Sequence, residues 1–335
     1  MKDINIDDIK VSSKLDEVIK NAATEGYKDI KYKNTKRIRK SAIAATIAAS
    51  FCIAIVGTVF SNEISATVKL AMFDIRNYLG INRNLDDYKT VVNSAISKDG
   101  VTVQLNEVIL DKDEIIVSTT IKSDENLDNN GHISLHGNVY INGNRISSAA
   151  GGSSKQIDEY TEEVVLTYKL DKELQAGDLD IEIKYDSAYL YINDRENKVN
   201  GPWKFEFTAN GDTLAANSKS IKIGNSFVLE NGQKITLNEY RSNDIGQKIY
   251  YSIENKDKNN VYDLVLKGHD DLGNEVEFYS SYEEITSGVM KNQIEISSEA
   301  KILTLTPYAV AYPKESGKMS HDYKITGEEF TIIIK

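Results

Sequence analysis

The sequence predicts a mainly β protein: two tandem immunoglobulin-like β-sandwich domains outside a membrane, one transmembrane α-helix and a short helical cytoplasmic tail. Three observations predict it. Residues 41–60 form an uncharged apolar run, a stretch of the chain recurs 132 positions later, and period-two alternation fills most of the chain beyond the run. At 335 residues the chain is too long for one ordinary domain, and 40% hydrophobic with 27% charged residues is the composition of packed domains. Tyr is abundant, at 19 residues, and Pro is scarce, at 3, which favours strands and leaves long runs free to pair.

The tail is residues 1–40. Within it, VSSKLDEVIKNAATEGY (11–27) predicts a short amphipathic helix. Ser13 and Asp16 fit a capping box, Gly26 is a stop, and Leu15, Val18, Ile19 and Ala22 recur at i, i+3, i+4 and i+7 on one apolar face. So short a segment cannot bury that face on itself. The face therefore either docks into a groove on a cytoplasmic partner, or lies on the membrane or stays frayed. His is absent from residues 1–60 and Cys52 is the one thiol there, which excludes a zinc-binding cytoplasmic domain on ligand count.

Residues 41–60, SAIAATIAASFCIAIVGTVF, carry neither charge nor Pro. As a helix they span about 30 Å, the thickness of the hydrocarbon core, and a helix satisfies its own backbone polar groups there. Lys36, Arg37, Arg39 and Lys40 crowd the N-terminal flank, whereas Ser61, Asn62 and Glu63 open the other side. The positive-inside rule then sets the N-terminus in the cytoplasm and the C-terminal bulk outside the cell membrane. The 40 preceding residues exceed the n-region of a signal peptide, so the run reads as an uncleaved signal anchor. Cys52 is the only Cys of the chain, which rules out an intrachain disulfide and argues against a small disulfide-stapled ectodomain.

Charge divides along the same line. Residues 1–40 hold 11 Lys and Arg against 7 Asp and Glu, whereas residues 61–335 hold 29 against 44. An acidic bulk repels phosphate and argues against nucleic-acid binding. Residues 61–87 predict a juxtamembrane helical stalk: Ile64, Val68, Met72, Ile75 and Leu79 sit near helical spacing, either extending the membrane helix or packing at the headgroup surface.

The β-rich bulk divides into two domains, 88–210 and 215–335. Residues 93–107 read NSAISKDGVTVQLNE and residues 225–239 read NSFVLENGQKITLNE. Asn93, Ser94, Gly100, Leu105, Asn106 and Glu107 recur without a gap as Asn225, Ser226, Gly232, Leu237, Asn238 and Glu239. Ile121 recurs as Ile253, and Gly137 with Gly268 and Gly143 with Gly273 recur after small slips. Alternation in VTVQLNEV (101–108), EIIVSTTI (114–121), VVLTYKL (164–170), DLDIEIKY (178–185), KIYYSIEN (248–255) and ILTLTPY (302–308), broken by Asp-Gly, Asn-Gly and Gly-Asn turns, predicts antiparallel hairpins. About seven short strands per copy suggest immunoglobulin-like sandwiches, without the Cys pair of antibody domains.

No phosphate loop, Gly-x-Ser-x-Gly or His-Glu-x-x-His motif occurs, so the reading is of a non-enzyme with no cofactor and no metal. His132 and His136 would lie about 13 Å apart on a strand, too far to share a metal. They, His269 and His321 read as surface or loop residues. Asp124–Gly131 lacks the Gly and Glu positions of a calcium loop and reads as a polar turn, as does Asp270–Glu275. The remaining Asp and Glu read as solvated strand faces.

The stretch LDDYKTVVNSAISKDGVTVQLNEVILDKDEIIVSTTI (85–121) resembles the bacterial family "domain of unknown function 4179". The matching residues are Leu85, Tyr88, Thr90, Val92, Asn93, Gly100, Leu105, Glu107, Val108, Leu110 and Asp111. The layout of capped helix, basic stretch, membrane helix and β domains is similar too, and the second copy looks like a companion C-terminal domain. Members look like membrane-bound regulators paired with extracytoplasmic-function sigma factors. The resemblance therefore implies an anti-sigma role, with a sigma factor held by Leu15, Val18, Ile19 and Ala22 and an extracellular ligand sensed outside. The alternative from another class is a structural or adhesive cell-surface protein whose tail only anchors it.

Overall fold

The computed structural model describes residues 73–335 apart from 128–130, 194, 258–260, 293–294 and 316–317. The amphipathic helix expected at 11–27, the transmembrane helix expected at 41–60 and the first part of the expected stalk lie outside the described residues. Among the described residues no helix is long and apolar enough to cross a membrane.

The described chain opens with a short helix, α1 (Ile75–Leu79). Asp74 caps it, accepting from the Asn77 N–H at 2.8 Å. Gly80, at φ 66°, ends it in the left-handed region, where its own N–H reaches back to the carbonyls of Arg76 and Asn77. Beyond Gly80 the chain runs without helix as far as Lys89, and Ile75, Ile81 and Leu85 turn towards the first sandwich. The described part of the expected helical stalk is therefore a strap laid over a sheet. The cause is local: a left-handed cap stops the helix, and three apolar side chains find a face to bury against.

The first sandwich comprises β1 (Lys89–Lys98), β2 (Val101–Leu110), β3 (Glu114–Ser123), β4 (His132–Ile141), β5 (Asn144–Arg145), β6 (Ser147–Asp158), β7 (Thr161–Leu170), β8 (Asp178–Ile192) and β9 (Arg195–Asn210). One antiparallel sheet runs β1-β2-β3-β7-β6 and the other runs β5-β4-β8-β9. Their facing side chains, among them Leu105, Val117, Ile183, Trp203 and Phe205, make one core. Trp203 is fully buried, and its Nε1–H donates to the Val101 carbonyl at 3.2 Å, so the indole brings no unpaired donor into that core.

After the short helix α2 (Asp212–Ala216), the second sandwich comprises β10 (Lys219–Lys222), β11 (Ser226–Val228), β12 (Lys234–Asn243), β13 (Gly246–Glu254), β14 (Tyr262–Asp270), β15 (Glu275–Glu283), β16 (Ser287–Asn292), β17 (Ile302–Ala311), β18 (Lys324–Ile325) and β19 (Phe330–Ile333). Its order is β10-β12-β13-β16-β15-β14-β17-β18, with β11 on β12 and β19 on β17. It folds around its own core, including Leu237, Tyr251, Leu266, Phe278 and Leu305. The path is continuous because β15 serves both halves. Its first residues pair with β14 and its last with β16, across a register shift at Ser280/Tyr282. In the first sandwich that place is divided between β5, on β4, and β6, on β7.

The repeated residues occupy equivalent places. Leu105 pairs with Thr119 and Glu107 with Ser118, skipping Asn106; Leu237 pairs with Tyr251 and Glu239 with Tyr250, skipping Asn238. Each Asn is thus the extra residue of a β-bulge. The bulge shifts the inward phase, so that Val101, Val103 and Leu105 face the core before it and Val108 and Leu110 after it. Each bulge Asn also bonds across to β3 or β13: Asn106 Nδ2 donates to Thr120 Oγ1 at 3.0 Å, and Ser252 Oγ, at the position equivalent to Thr120, donates to Asn238 Oδ1 at 3.5 Å.

The shared glycines have reasons as well. A Cβ on Gly137 would sit 2.3 Å from the Lys184 carbonyl oxygen, and one on Gly268 would sit 1.8 Å from that of Thr304. The turn glycines Gly143 and Gly273 instead take φ of +77° and +85°.

Candidate functional site at the junction of the two sandwiches

The residues expected to hold a partner, Leu15, Val18, Ile19 and Ala22, and those expected to flank the membrane, Lys36, Arg37, Arg39 and Lys40, lie outside the described residues. His132 and His136 are exposed on β4, where His132 stacks on Tyr191 with ring centroids 4.5 Å apart and His136 tilts against Tyr189. His269 and His321 are exposed too. Asp270 forms a closed polar turn, its carboxylate accepting from the Leu272 and Asn274 N–H groups at 2.9 Å each. Among the described residues no group of three or more His, Cys, Asp and Glu side chains is placed to hold a metal ion.

The expectation that the acidic residues are solvated needs correction. Asp111, Glu114, Glu162 and Glu163 are all buried. Burial is tolerated because each finds donors. Glu162 accepts from the Ile133 N–H at 2.6 Å, and Glu163 accepts from that of Phe73. Asp111 and Glu114 belong to the largest such cluster, where the β2–β3 turn of the first sandwich meets β12, β13 and β16 of the second.

Lys248 is its centre. Its Nζ lies 2.7 Å from Asp111 Oδ2, 2.9 Å from Glu114 Oε1 and 3.3 Å from Asp113 Oδ1, so its three donors meet three carboxylates. The other oxygens are taken as well. Asp111 Oδ1 accepts from Asn243 Nδ2 at 3.0 Å, Glu114 Oε2 from Lys291 Nζ at 2.9 Å, and Asp113 Oδ2 from the Tyr250 hydroxyl at 2.6 Å. Arg241 stacks over the Tyr250 ring at 4.6 Å and extends to Glu173 and Glu239 at 2.9 and 3.0 Å.

The electrostatics stem from burial and pairing. Burial alone would raise the Glu114 carboxyl, but the fields of Lys248 and Lys291 outweigh it and hold the group well below the usual carboxylate range. Burial likewise opposes charge on Lys248, and Glu114, Asp111 and Asp113 together drive its ammonium well above the ordinary lysine value. Tyr250 is held neutral, chiefly by burial. In this arrangement ammonium groups and carboxylates saturate one another. What it does is fix geometry: removing either partner strands a buried charge.

Beside this polar half lies an apolar half. Ile109 and Ile116 on β2 and β3, with Val165 on β7, face outward from the first sandwich and are nevertheless buried. Ile75, Ile81 and Leu85 of the strap, Leu214 of α2 and Ile245 of the β12–β13 turn cover them. Charged contacts seal the rim. Arg83 Nη1 lies 2.6 Å from Asp244 Oδ1 and its guanidinium also pairs with Glu295, while the Tyr88 hydroxyl donates to Asp244. Arg83 and Glu295 border an open cleft of about 530 Å³ with Ile296, Ser297 and Ser298.

The two halves are one interface built twice. With the 132-residue offset, the β2–β3 turn corresponds to the β12–β13 turn, and each turn lands on the outer face of the other sandwich. Ile109 and Ile116 on one face correspond to Arg241 and Lys248 on the other, and the incoming Ile245 corresponds to the incoming Asp113. One contact is apolar and the other ionic. Reading the repeat as hairpins did not single these residues out. The available signal was Arg241 and Lys248 standing where the other copy has Ile.

Fold and junction define the class: a mainly β protein of two joined antiparallel β-sandwich units. Residues 33–123 match the family model described as a domain of unknown function (DUF4179), and residues 218–334 match that of a family of unknown function (DUF5643). The chain thus carries a segment similar to the first family and, behind it, a segment similar to the second. No curated protein matches it. Among solved structures it is similar to "The crystal structure of the conserved domain protein from Bacillus anthracis", at 20% identity and a TM-score of 0.58, covering 78% of this chain and 95% of that one. That likeness concerns the fold.

Proposed function

We propose that the chain is a single-pass membrane regulator, with its N-terminus in the cytoplasm, both sandwiches outside, and an extracytoplasmic-function sigma factor held by Leu15, Val18, Ile19 and Ala22. The observation that carries this reading is the uncharged run at 41–60 with Lys36, Arg37, Arg39 and Lys40 at one end. The family match over 33–123 supports it, because one family unit takes in the basic flank, the apolar run, the strap and β1 to β3. The sigma-factor partner comes from the resemblance of that family to anti-sigma regulators.

The sensing role assigned to the outer part draws support from its architecture. The orders β2-β3-β7-β6 and β4-β8-β9 correspond to the A-B-E-D and C-F-G sheets of an immunoglobulin domain, with β1 added at the edge. A fold of this kind does not by itself dictate a reaction.

The test is co-purification from detergent-solubilised cells carrying the full-length chain. Wild type recovers a sigma factor, and the Leu15→Asp/Ile19→Asp variant does not. A wild-type chain that recovers none overturns the sigma-factor reading and favours an adhesive or structural surface protein.

A further inference from the structure

We propose that the β12–β13 turn of the second sandwich, through Asp244 and Ile245, is the latch that holds the strap 73–88 on the first sandwich. The strap is the described segment that leads into β1, and it binds the first sandwich directly through Ile75, Ile81 and Leu85 on the Ile109, Ile116 and Val165 face. That face is not closed by the strap alone. Ile245 belongs to the same buried apolar cluster as the strap and sheet residues, and it is 5% exposed.

The adjoining residue supplies the polar half of the hold. Asp244 receives Arg83 and Tyr88 of the strap, and Asn217 Nδ2 donates to both Tyr88 Oη, at 2.9 Å, and Asp244 Oδ2, at 3.3 Å. Two consecutive residues of one turn therefore take the Tyr88 hydroxyl, part of the strap's apolar face and Arg83, which the turn shares with Glu295. In the first copy the equivalent turn positions are Lys112 and Asp113, a cation and a carboxylate where the second copy has a carboxylate and an apolar side chain.

The consequence is a coupling. The contact that covers the strap is also part of the contact that joins the sandwiches. Any event that parts the sandwiches withdraws Asp244 and Ile245 together and uncovers the strap, whereas an event confined to the core of either sandwich does not. A ligand that binds only the parted arrangement would thus shift the strap towards its uncovered state, by as much as it prefers that arrangement. What uncovering does across the membrane rests on the function proposed above; the latch itself does not.

Hydrogen exchange read by mass spectrometry on the full-length chain in detergent micelles tests it. In the Asp244→Asn/Ile245→Ser variant, amides of 73–88 should exchange roughly tenfold faster, while amides of β3, β7, β13 and β17 keep their wild-type rates. The Asp244→Asn single variant, which leaves the apolar cluster intact, should show a smaller increase in the same peptides and guards against loss of the second sandwich. Strap rates equal to wild type in a variant whose β13 and β17 stay protected would overturn the latch, as would strap rates that rise only together with those of β3 and β7. No sigma factor enters the measurement, so failure here leaves the proposed function standing, and failure of the co-purification leaves the latch standing.

Discussion

Asn243 donates to Asp111 across the junction at 3.0 Å, and the two residues are the same position of the repeat, 132 residues apart. Asp111 sits at the β2–β3 turn and Asn243 at the β12–β13 turn, so the two sandwiches meet tip to face in a pairing that nearly exchanges them. The near-symmetry is broken in chemistry, with Ile245 received by isoleucines and Asp113 by Arg241 and Lys248. A contact that is apolar on one side and ionic on the other discriminates against docking either sandwich onto a copy of itself.

Lys248 is the residue on which the ionic half depends. Its side chain is 8% exposed, against 0% for Asp111 and 6% for Glu114. Lys248→Met leaves those carboxylates buried without their common partner and should cost about 3–5 kcal/mol in urea denaturation. Lys234→Met, which breaks an exposed pair with Glu254, should cost less than about 1 kcal/mol.

The same cluster sets a pH window. The folded-state value of Glu114 lies below its ordinary 4.5, so its contribution is present above that pH and is lost as pH falls towards the folded value. The folded-state value of Lys248 lies above its ordinary 10.5, so its contribution is present below that pH and is lost as pH rises. Stability measured by denaturation should therefore hold between these limits and decline on both sides. The alkaline decline should shrink in Lys248→Met.

The paired glycines separate two kinds of cost. Gly268→Ala drives a methyl into the Thr304 carbonyl and forces β14 and β17 apart, which should cost about 3 kcal/mol or more. Gly273→Ala meets no atom within 4 Å and carries only the left-handed backbone penalty of about 1–2 kcal/mol. Thermal melts of the two variants should rank them in that order, and Gly137→Ala and Gly143→Ala should repeat the ranking.

The bulge asparagine is the third shared feature. Asn106 bonds to Gln104, Ser118 and Thr120 and is buried. Asn106→Ala should cost about 1–3 kcal/mol by leaving those groups without a partner. A Thr120→Val companion change should recover part of the loss in a double-mutant cycle, since it removes one stranded hydroxyl.

Much of this architecture could be read from the residues themselves. Val101, Val103 and Leu105 alternate, and Val108 and Leu110 resume one step out of phase, so the bulge at Asn106 is written in the pattern. The repeat carries the same step to Ile235, Leu237 and Tyr240. The run Ile115-Ile116-Val117 reads only as part of an alternating strand, whereas β3 is buried on both faces there because the strap and the β12–β13 turn cover Ile116. Strand β6 had no such pattern: SSAAGGSSKQID has no run of alternating apolar residues, and among the described residues it lies at a sheet edge, paired with β7. The junction was hidden for a different reason. Asp111, Asp113 and Glu114 form an acidic hairpin tip of the kind that usually faces water, and only the second sandwich's Lys248, Lys291 and Arg241 make burial of that tip tolerable.

The two sandwiches are held in this one arrangement, and zero-length carbodiimide coupling of the unmodified full-length chain tests that most directly. The exposed pair Lys169–Glu284 bridges β7 of the first sandwich and the β15–β16 turn of the second. An amide between these two residues, found by mass spectrometry at a yield comparable with that of Lys234–Glu254 inside the second sandwich, is the predicted result. Efficient coupling of Lys234 to Glu254 with no product joining Lys169 to Glu284 would contradict it.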